Sequence, residues 1–220
     1  MRYFIDTEYL WDAAKGRVIP ISIGIVAEDG REFYAQDWDG FFACDTWGDA
    51  WFMANVYPLL SQHSAKHREF IAQDIRAFIG DDVPEFWGDY SAFDYVVLSM
   101  LMGDFGAWPQ GWPMHVNDLQ QAGATAGPSD VPHHALADAH AVGKGFEDLD
   151  RRFVAALADV RAVRDAYDHP LATPDDPPGA RVSSANRERD IAFLLTYIER
   201  ESPDQFMARD YAKRIRGTSR

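Results

Sequence analysis

The sequence predicts an α/β fold, a mixed β-sheet of about five strands covered by α-helices. Two observations carry that prediction. Three strand-like segments follow one another at the start, which is the signature of an antiparallel meander, and helical and strand-like segments then alternate. The 220 residues are 47% hydrophobic and 14% aromatic, enough for one well-packed core and short for two ordinary domains.

The elements read in order. "RYFIDT", "VIPISIGIVAE" and "REFYAQD" are the three strands, and "EDG" between the second and third is a tight-turn signal. "TWGDAWFMANVYPLL" and "AKHREFIAQDIRAFIG" carry apolar residues at helical spacing, punctuated by Pro58 and Gly80. "VPEFWGDY" is a fourth strand that leads into "SAFDYVVLSMLMG", where Phe93, Val96, Val97, Met100 and Leu101 make one helical stripe. "PMHVNDL" is a short fifth strand, and residues 135–168 are helix-forming and proline-free, with Gly143 and Gly145 as points that loosen the helix or mark a boundary. Residues 1–168 are thus expected to form the main domain. Residues 169–186, rich in Pro, Asp and Ser, read as a linker, and 187–220 as a helical extension.

Charge narrows the function classes. The net charge of −14 argues against broad electrostatic attraction to nucleic acid or to an anionic membrane. It is unevenly spread: residues 1–180 hold 12 Lys and Arg against 29 Asp and Glu, whereas residues 181–220 hold 9 against 6. No apolar run approaches the roughly 20 residues that span a bilayer, so a cytoplasmic, membrane-free protein is expected. The single cysteine, Cys44, leaves no internal disulfide and sits in "FFACDTW", which reads as packing.

The first strand raises the functional question. "YFIDTEYL" places Asp6 and Glu8 two residues apart, on one face of a strand and near its expected end. Asp94 and Asp138 each fall near the start of a helix, and strand ends and helix starts of an open sheet lie at the rim where ligands bind. Each acid alone has an ordinary explanation: "DTE" as a turn or cap, Asp94 as a dipole-complementing acid, Asp138 as half of a surface pair. Together they repel unless a cation lies between them. Oxygen-only donors suit Mg²⁺ or Mn²⁺, and two such ions can clamp the oxygens of a phosphodiester hydrolysis, with a histidine as base. A zinc site from His133, His134, Asp138 and His140 has suitable ligand types but lacks the usual cysteines. Asp118 is most simply a helix cap, and Trp47, Trp51, Trp87, Trp108 and Trp112 are packing residues, of which an exposed one could stack on a base.

In this order and spacing, "FIDTE", "WGDYSAFD" and "HHALAD" resemble the three motifs of the DEDDh branch of the DEDD exonuclease superfamily, most similar to the small bacterial exoribonucleases typified in mycobacteria. The resemblance spans roughly residues 2–165. It implies an RNase H-like fold, two Mg²⁺ or Mn²⁺ ions held by Asp6, Glu8, Asp94 and Asp138, and His133 as general base. It also implies release of nucleoside 5′-monophosphates from single-stranded 3′ ends, RNA ahead of DNA, and a homodimer. Alternatives are a deoxyribonuclease using the same site and a catalytically dead nucleic-acid-binding module. Tyr9, Leu10, Asp89, Phe93 and His134 are the expected substrate contacts; Asp89 stands where the family carries asparagine.

Helix geometry and the resemblance differ over the base. At i, i+4, His134 and Asp138 share a helix face, which favours His134. The family spacing implies His133, which must then lie on the loop before the helix, and Pro132 supports a helix that begins after it.

Overall fold

The computed structural model describes residues 1–12, 15–103 and 107–168. The expected linker and C-terminal extension lie outside the described residues. The chain divides into two units: the first comprises residues 1–120 with 124–148, and the second contains, among the described residues, 121–123 and 149–168. The first unit carries the predicted motifs.

Its architecture is α/β, as predicted. Strands β1 (Arg2–Asp12), β2 (Arg17–Ala27), β3 (Glu32–Asp37), β4 (Ala65–Lys66), β5 (Glu85–Gly88) and β6 (Asn117–Asp118) form one mixed sheet in the order β4-β3-β2-β1-β5-β6. The β1–β2–β3 meander is antiparallel, while β5 runs parallel to β1 and β6 parallel to β5. Helices α1 (Trp38–Trp47), α2 (Ala50–Asn55), α3 (Arg68–Ile79), α4 (Ala92–Met102) and α5 (Ala135–Asp168) complete it. No helix among the described residues is long and apolar enough to cross a membrane.

Strand alternation sorts the core onto two faces, and the register shift that leaves Ile21 unpaired between Glu8↔Ser22 and Tyr9↔Pro20 switches the alternation along β2. Tyr3 and Ile5 of β1 pack with Ile23 and Ile25 against Ile71 and Ile75 of α3 and Val97, Leu98 and Leu101 of α4. On the other face, Leu10, Ile19 and Ile21 pack with Cys44 of α1 and with Phe52 and Val56. Phe4, also on that face, meets Phe146 of α5 at a ring separation of 5.4 Å.

Several expectations need correction. β1 runs on to Asp12 because its hairpin with β2 continues to Asp12↔Arg17, so Asp6 and Glu8 lie in mid-strand rather than at its end. Its parallel pairing with β5 stops at Phe4↔Trp87. The acids thus follow the point where β1 loses its neighbour on that side, and the rim is an open edge. The helix expected over residues 46–60 is broken: α1 starts earlier, capped by Asp37, and Asp49 caps a separate α2. "WDGFFACDTW" has aromatic residues on every side, so its period is weak. The helix expected from Ala65 starts only at Arg68, since Ala65 and Lys66 pair with Gln36 and Asp37 as a sixth strand.

Neither Gly143 nor Gly145 interrupts α5. Their missing side chains permit close approach instead. A Cβ on Gly143 would lie 3.2 Å from the Phe4 ring, and one on Gly145 would lie 2.2 Å from the Thr125 carbonyl oxygen.

Candidate active site

β1 supplies Asp6 and Glu8 on one face of the strand. Directly across the hairpin from Asp6 is Gly24, where a Cβ would come within 2.4 Å of the backbone at Ala135 and Leu136. That gap in the sheet surface lets the start of α5 descend onto β2, and Asp138 arrives beside Asp6 and Glu8 in the first turn of α5. The lone glycine inside the apolar run "ISIGIV", which the strand pattern alone passed over, is the signal that could have indicated this close approach.

Asp94 enters from the first turn of α4. Thr7 Oγ1 donates to Asp94 Oδ1 at 2.7 Å, and a Cβ on Gly88 would lie 2.7 Å from Asp94 Oδ2. β6 fixes this helix start: Ser91 N and Ser91 Oγ donate to Asp118 Oδ2 at 2.8 and 3.2 Å. Asp118, expected to cap a helix, instead lies in β6 and holds the N-cap residue of α4 through both Ser91 donors. Gln120 Nε2 donates to Asp89 Oδ1 at 2.8 Å, which steadies the residue standing where asparagine was expected.

His133 lies on the loop before α5 with φ of 67°, a left-handed conformation uncommon outside glycine. Its backbone N–H donates to Asp138 Oδ2 at 2.9 Å, so the loop folds back over the helix start. Ligand atoms of Glu8, His133 and Asp138 lie within 4.8 Å of one another. His134 goes elsewhere: its ring stacks on Tyr34 with centroids 4.5 Å apart. His140 Nε2 is 2.9 Å from Glu32 Oε1. The histidines of the zinc alternative are thus dispersed onto separate partners.

The electrostatics of the cluster are those of uncompensated charge. Burial, then Asp138 and Asp94, push the Glu8 carboxyl from an ordinary 4.5 to about 8. Burial raises Asp94 to about 7, even against the lowering effect of the Thr7 hydrogen bond. Asp6 is driven well above the usual carboxylate range by burial and then by Asp94, Glu8 and Asp138. Each of these groups resists ionisation first because burial strips it of water and then because its neighbours are of like charge.

An aromatic group borders the acids. Tyr9 and Phe93 stack on each other with centroids 4.9 Å apart, and Trp11 meets Phe93 edge-on at 5.2 Å. Burial, then Asp94, Glu8 and Asp6, raise the Tyr9 hydroxyl. Leu10 is 5% exposed and belongs to the second core cluster. On the opposite side of the site, Trp51 of α2 packs edge-on to the His133 ring at 4.8 Å while remaining 55% exposed. Nothing in the spacing of "GDAWFM" marked Trp51 as a site residue, and Thr7 was hidden between the two acids it separates. Cys44 is buried, and burial pushes its thiol up to about 11, consistent with packing.

Residues 1–148 match the family model described as the 3′–5′ exoribonuclease Rv2179c-like domain. Two proteins of Mycobacterium tuberculosis, named 3′–5′ exoribonuclease Rv2179c in strain ATCC 25618 / H37Rv and 3′–5′ exoribonuclease MT2234.1 in strain CDC 1551 / Oshkosh, are each 37% identical to the chain over 153 residues. That alignment covers 63% of this chain and 87% of each relative.

Proposed function

The chain belongs to the Rv2179c-like 3′–5′ exoribonuclease family, and from that premise we propose that it is a divalent-metal-dependent exoribonuclease removing nucleoside 5′-monophosphates from the 3′ ends of single-stranded RNA. The observation that carries this reading is the convergence of Glu8 and Asp94, with carboxyls raised to about 8 and 7, on Asp6, Asp138 and His133. Acids that cannot all ionise on their own fit a hard cation, and four carboxylates, with the His133 imidazole left free as a base, suit Mg²⁺ or Mn²⁺. Asp6, Glu8, Asp94 and Asp138 would hold two ions, which supply charge stabilisation for the phosphoryl oxygens and the leaving group when bound.

The remaining work falls to the chain itself. His133 accepts the proton of the attacking water, whose oxygen bonds to phosphorus as the bond from phosphorus to the 3′-oxygen of the preceding nucleotide breaks. The hydrogen bond from His133 N to Asp138 Oδ2 and the contact of its ring with Trp51 restrain where that imidazole sits. Thr7 and Gly88 fix the Asp94 carboxylate, and Asp118 fixes the helix that bears it. Tyr9 and Phe93, stacked face to face, offer apolar surface beside the acids for the terminal base.

The test is a time course on RNA and DNA oligonucleotides of matched sequence, labelled at the 5′ end, in Mg²⁺, Mn²⁺ or EDTA. A ladder shortening from the 3′ end of RNA, present with metal and absent in EDTA, is expected. Equal shortening of DNA would broaden the substrate class, whereas RNA bound and never shortened would leave only a binding module.

A further inference from the structure

Resting on the exoribonuclease reading above, we propose that Lys15, Arg17 and the exposed ring of Trp47 form a second contact for the RNA strand, upstream of the scissile 3′ nucleotide. Lys15 Nζ lies 4.0 Å from the Trp47 ring centroid and Arg17 Cζ lies 4.9 Å from it. Two cations share one aromatic ring at the end of the β1–β2 hairpin, on a chain of net charge −14.

Arg17 differs from the rest of the first unit's cations. Arg2 pairs with Glu28, Arg31 with Asp29, Lys66 with Asp74, Arg68 with Asp37 and Lys144 with Asp130. Arg76 donates to the carbonyls of Met102 and Ala107, and Lys15 lies 3.5 Å from Asp12. Among the described residues, Arg17 has no side-chain oxygen partner, and its guanidinium rests on the Trp47 ring. An unneutralised guanidinium beside an ammonium repels it. A phosphate is the ligand that relieves that repulsion, because its oxygens accept from the planar donor fork of arginine. Trp47, 39% exposed, supplies apolar surface on which a base can stack next to that phosphate.

Two covalent routes tie this patch to the active site. Along β1, Asp12 is four residues beyond Glu8, or ~13 Å at ~3.3 Å per residue, and Arg17 pairs with Asp12 across the hairpin. Along the helices, Trp47 ends α1 four residues before Trp51, which rests on His133. Their Cα atoms are therefore separated by at most ~14 Å. At ~3.4 Å per stacked nucleotide, and more when the strand is extended, this distance corresponds to roughly two to four nucleotides. The acidic surface elsewhere would repel a longer strand, so a local basic step is where affinity for length can arise. The consequence is a chain-length dependence of KM: a dinucleotide engages the catalytic end alone, and longer RNA engages both.

The test compares wild type, Arg17→Ala, Arg17→Glu and Trp47→Ala on 5′-labelled RNA of two, four and seven nucleotides. For the heptamer, KM should rise about tenfold in Arg17→Ala and Trp47→Ala and further in Arg17→Glu, with kcat unchanged and dinucleotide kinetics untouched. Loss of one phosphate contact should also flatten the slope of log KM against log salt by about 0.7 for single-stranded RNA. Should Trp47→Ala fail to fold, Arg17→Glu, a surface change, carries the test. Equal effects at every length, or none at any length, would overturn the proposal. A wild type inert on all RNA would overturn the nuclease reading and this contact with it, whereas active wild type without length dependence removes the contact alone.

Discussion

Two carboxylate sites built on the same sheet are handled in opposite ways. Asp37, at the end of β3, is fully compensated. Its Oδ2 accepts from Gly40 N at 3.0 Å as the cap of α1 and from Arg68 Nη2 at 2.8 Å, and Arg68 Nε reaches both carboxylate oxygens at 3.1 Å. Asp6, Glu8 and Asp94 receive no cation from the described chain, and each is held above the usual carboxylate range. The fold can neutralise a buried acid where the acid is structural, so leaving three uncompensated is what the proposed metal site requires.

The sharpest way to break this contrast is to neutralise one acid on each side. Asp6→Asn should lower kcat/KM by on the order of 10⁴-fold, because the acids act as a unit. The same change should raise the melting temperature of metal-free protein at neutral pH, since it removes an acid that must take up a proton on folding. Lost activity together with lost stability would assign Asp6 a structural role like that of Asp37. For the histidine pair, His133→Ala should cost about 10²–10⁴-fold in kcat. His134→Ala should cost far less, with its effect on stability through Tyr34. A reversal would return the base to His134.

The structural half of the contrast predicts the converse. Arg68→Ala leaves the fully buried Asp37 carboxylate without its cation, and should destabilise the fold by about 2–3 kcal/mol. That is less than the 3–5 kcal/mol of a wholly buried pair, because Arg68 is 35% exposed. Activity per folded molecule should be retained, as thermal unfolding and active-site-normalised rates would show.

The two sites were unequally legible. That the acids would meet was an expectation the sequence allowed, because each lies beside an apolar run that identifies its element; His133 entered only through the order of motifs that resembles a known family, since spacing alone favoured His134. Asp37 was not read as a cap, since α1 behind it has no clear period and its partner Arg68 lies 31 residues away. The same limit hid β4, a two-residue strand specified by pairing to Gln36 and Asp37 rather than by its own composition. It also hid Trp51, whose proximity to His133 depends on the break between α1 and α2. Local pattern fixes elements long enough to have a period, whereas contacts between distant short elements have no local signature. The β1–β2–β3 meander and α5 fall in the first class, and the segment from α1 to β4 in the second.

A smaller effect follows from proton linkage and sharpens the comparison without any mutation. In metal-free protein, Glu8 and Asp94 hold protons in the folded state up to about pH 8 and 7, while the unfolded chain releases them near 4.5 and 3.8. Folding therefore binds protons in that window. The contribution to stability is fully present below about pH 4, shrinks as pH rises, and is lost above about pH 8. The melting temperature in EDTA should fall by several degrees between pH 5 and 8.5. Millimolar Mn²⁺ should flatten that fall, because a bound cation favours the ionised acids and stabilises the fold it binds. The stabilisation by metal should thus grow with pH and shrink in Asp6→Asn. A metal effect that is independent of pH, or unchanged in that variant, would place the cation away from these acids and end the distinction between the two carboxylate sites.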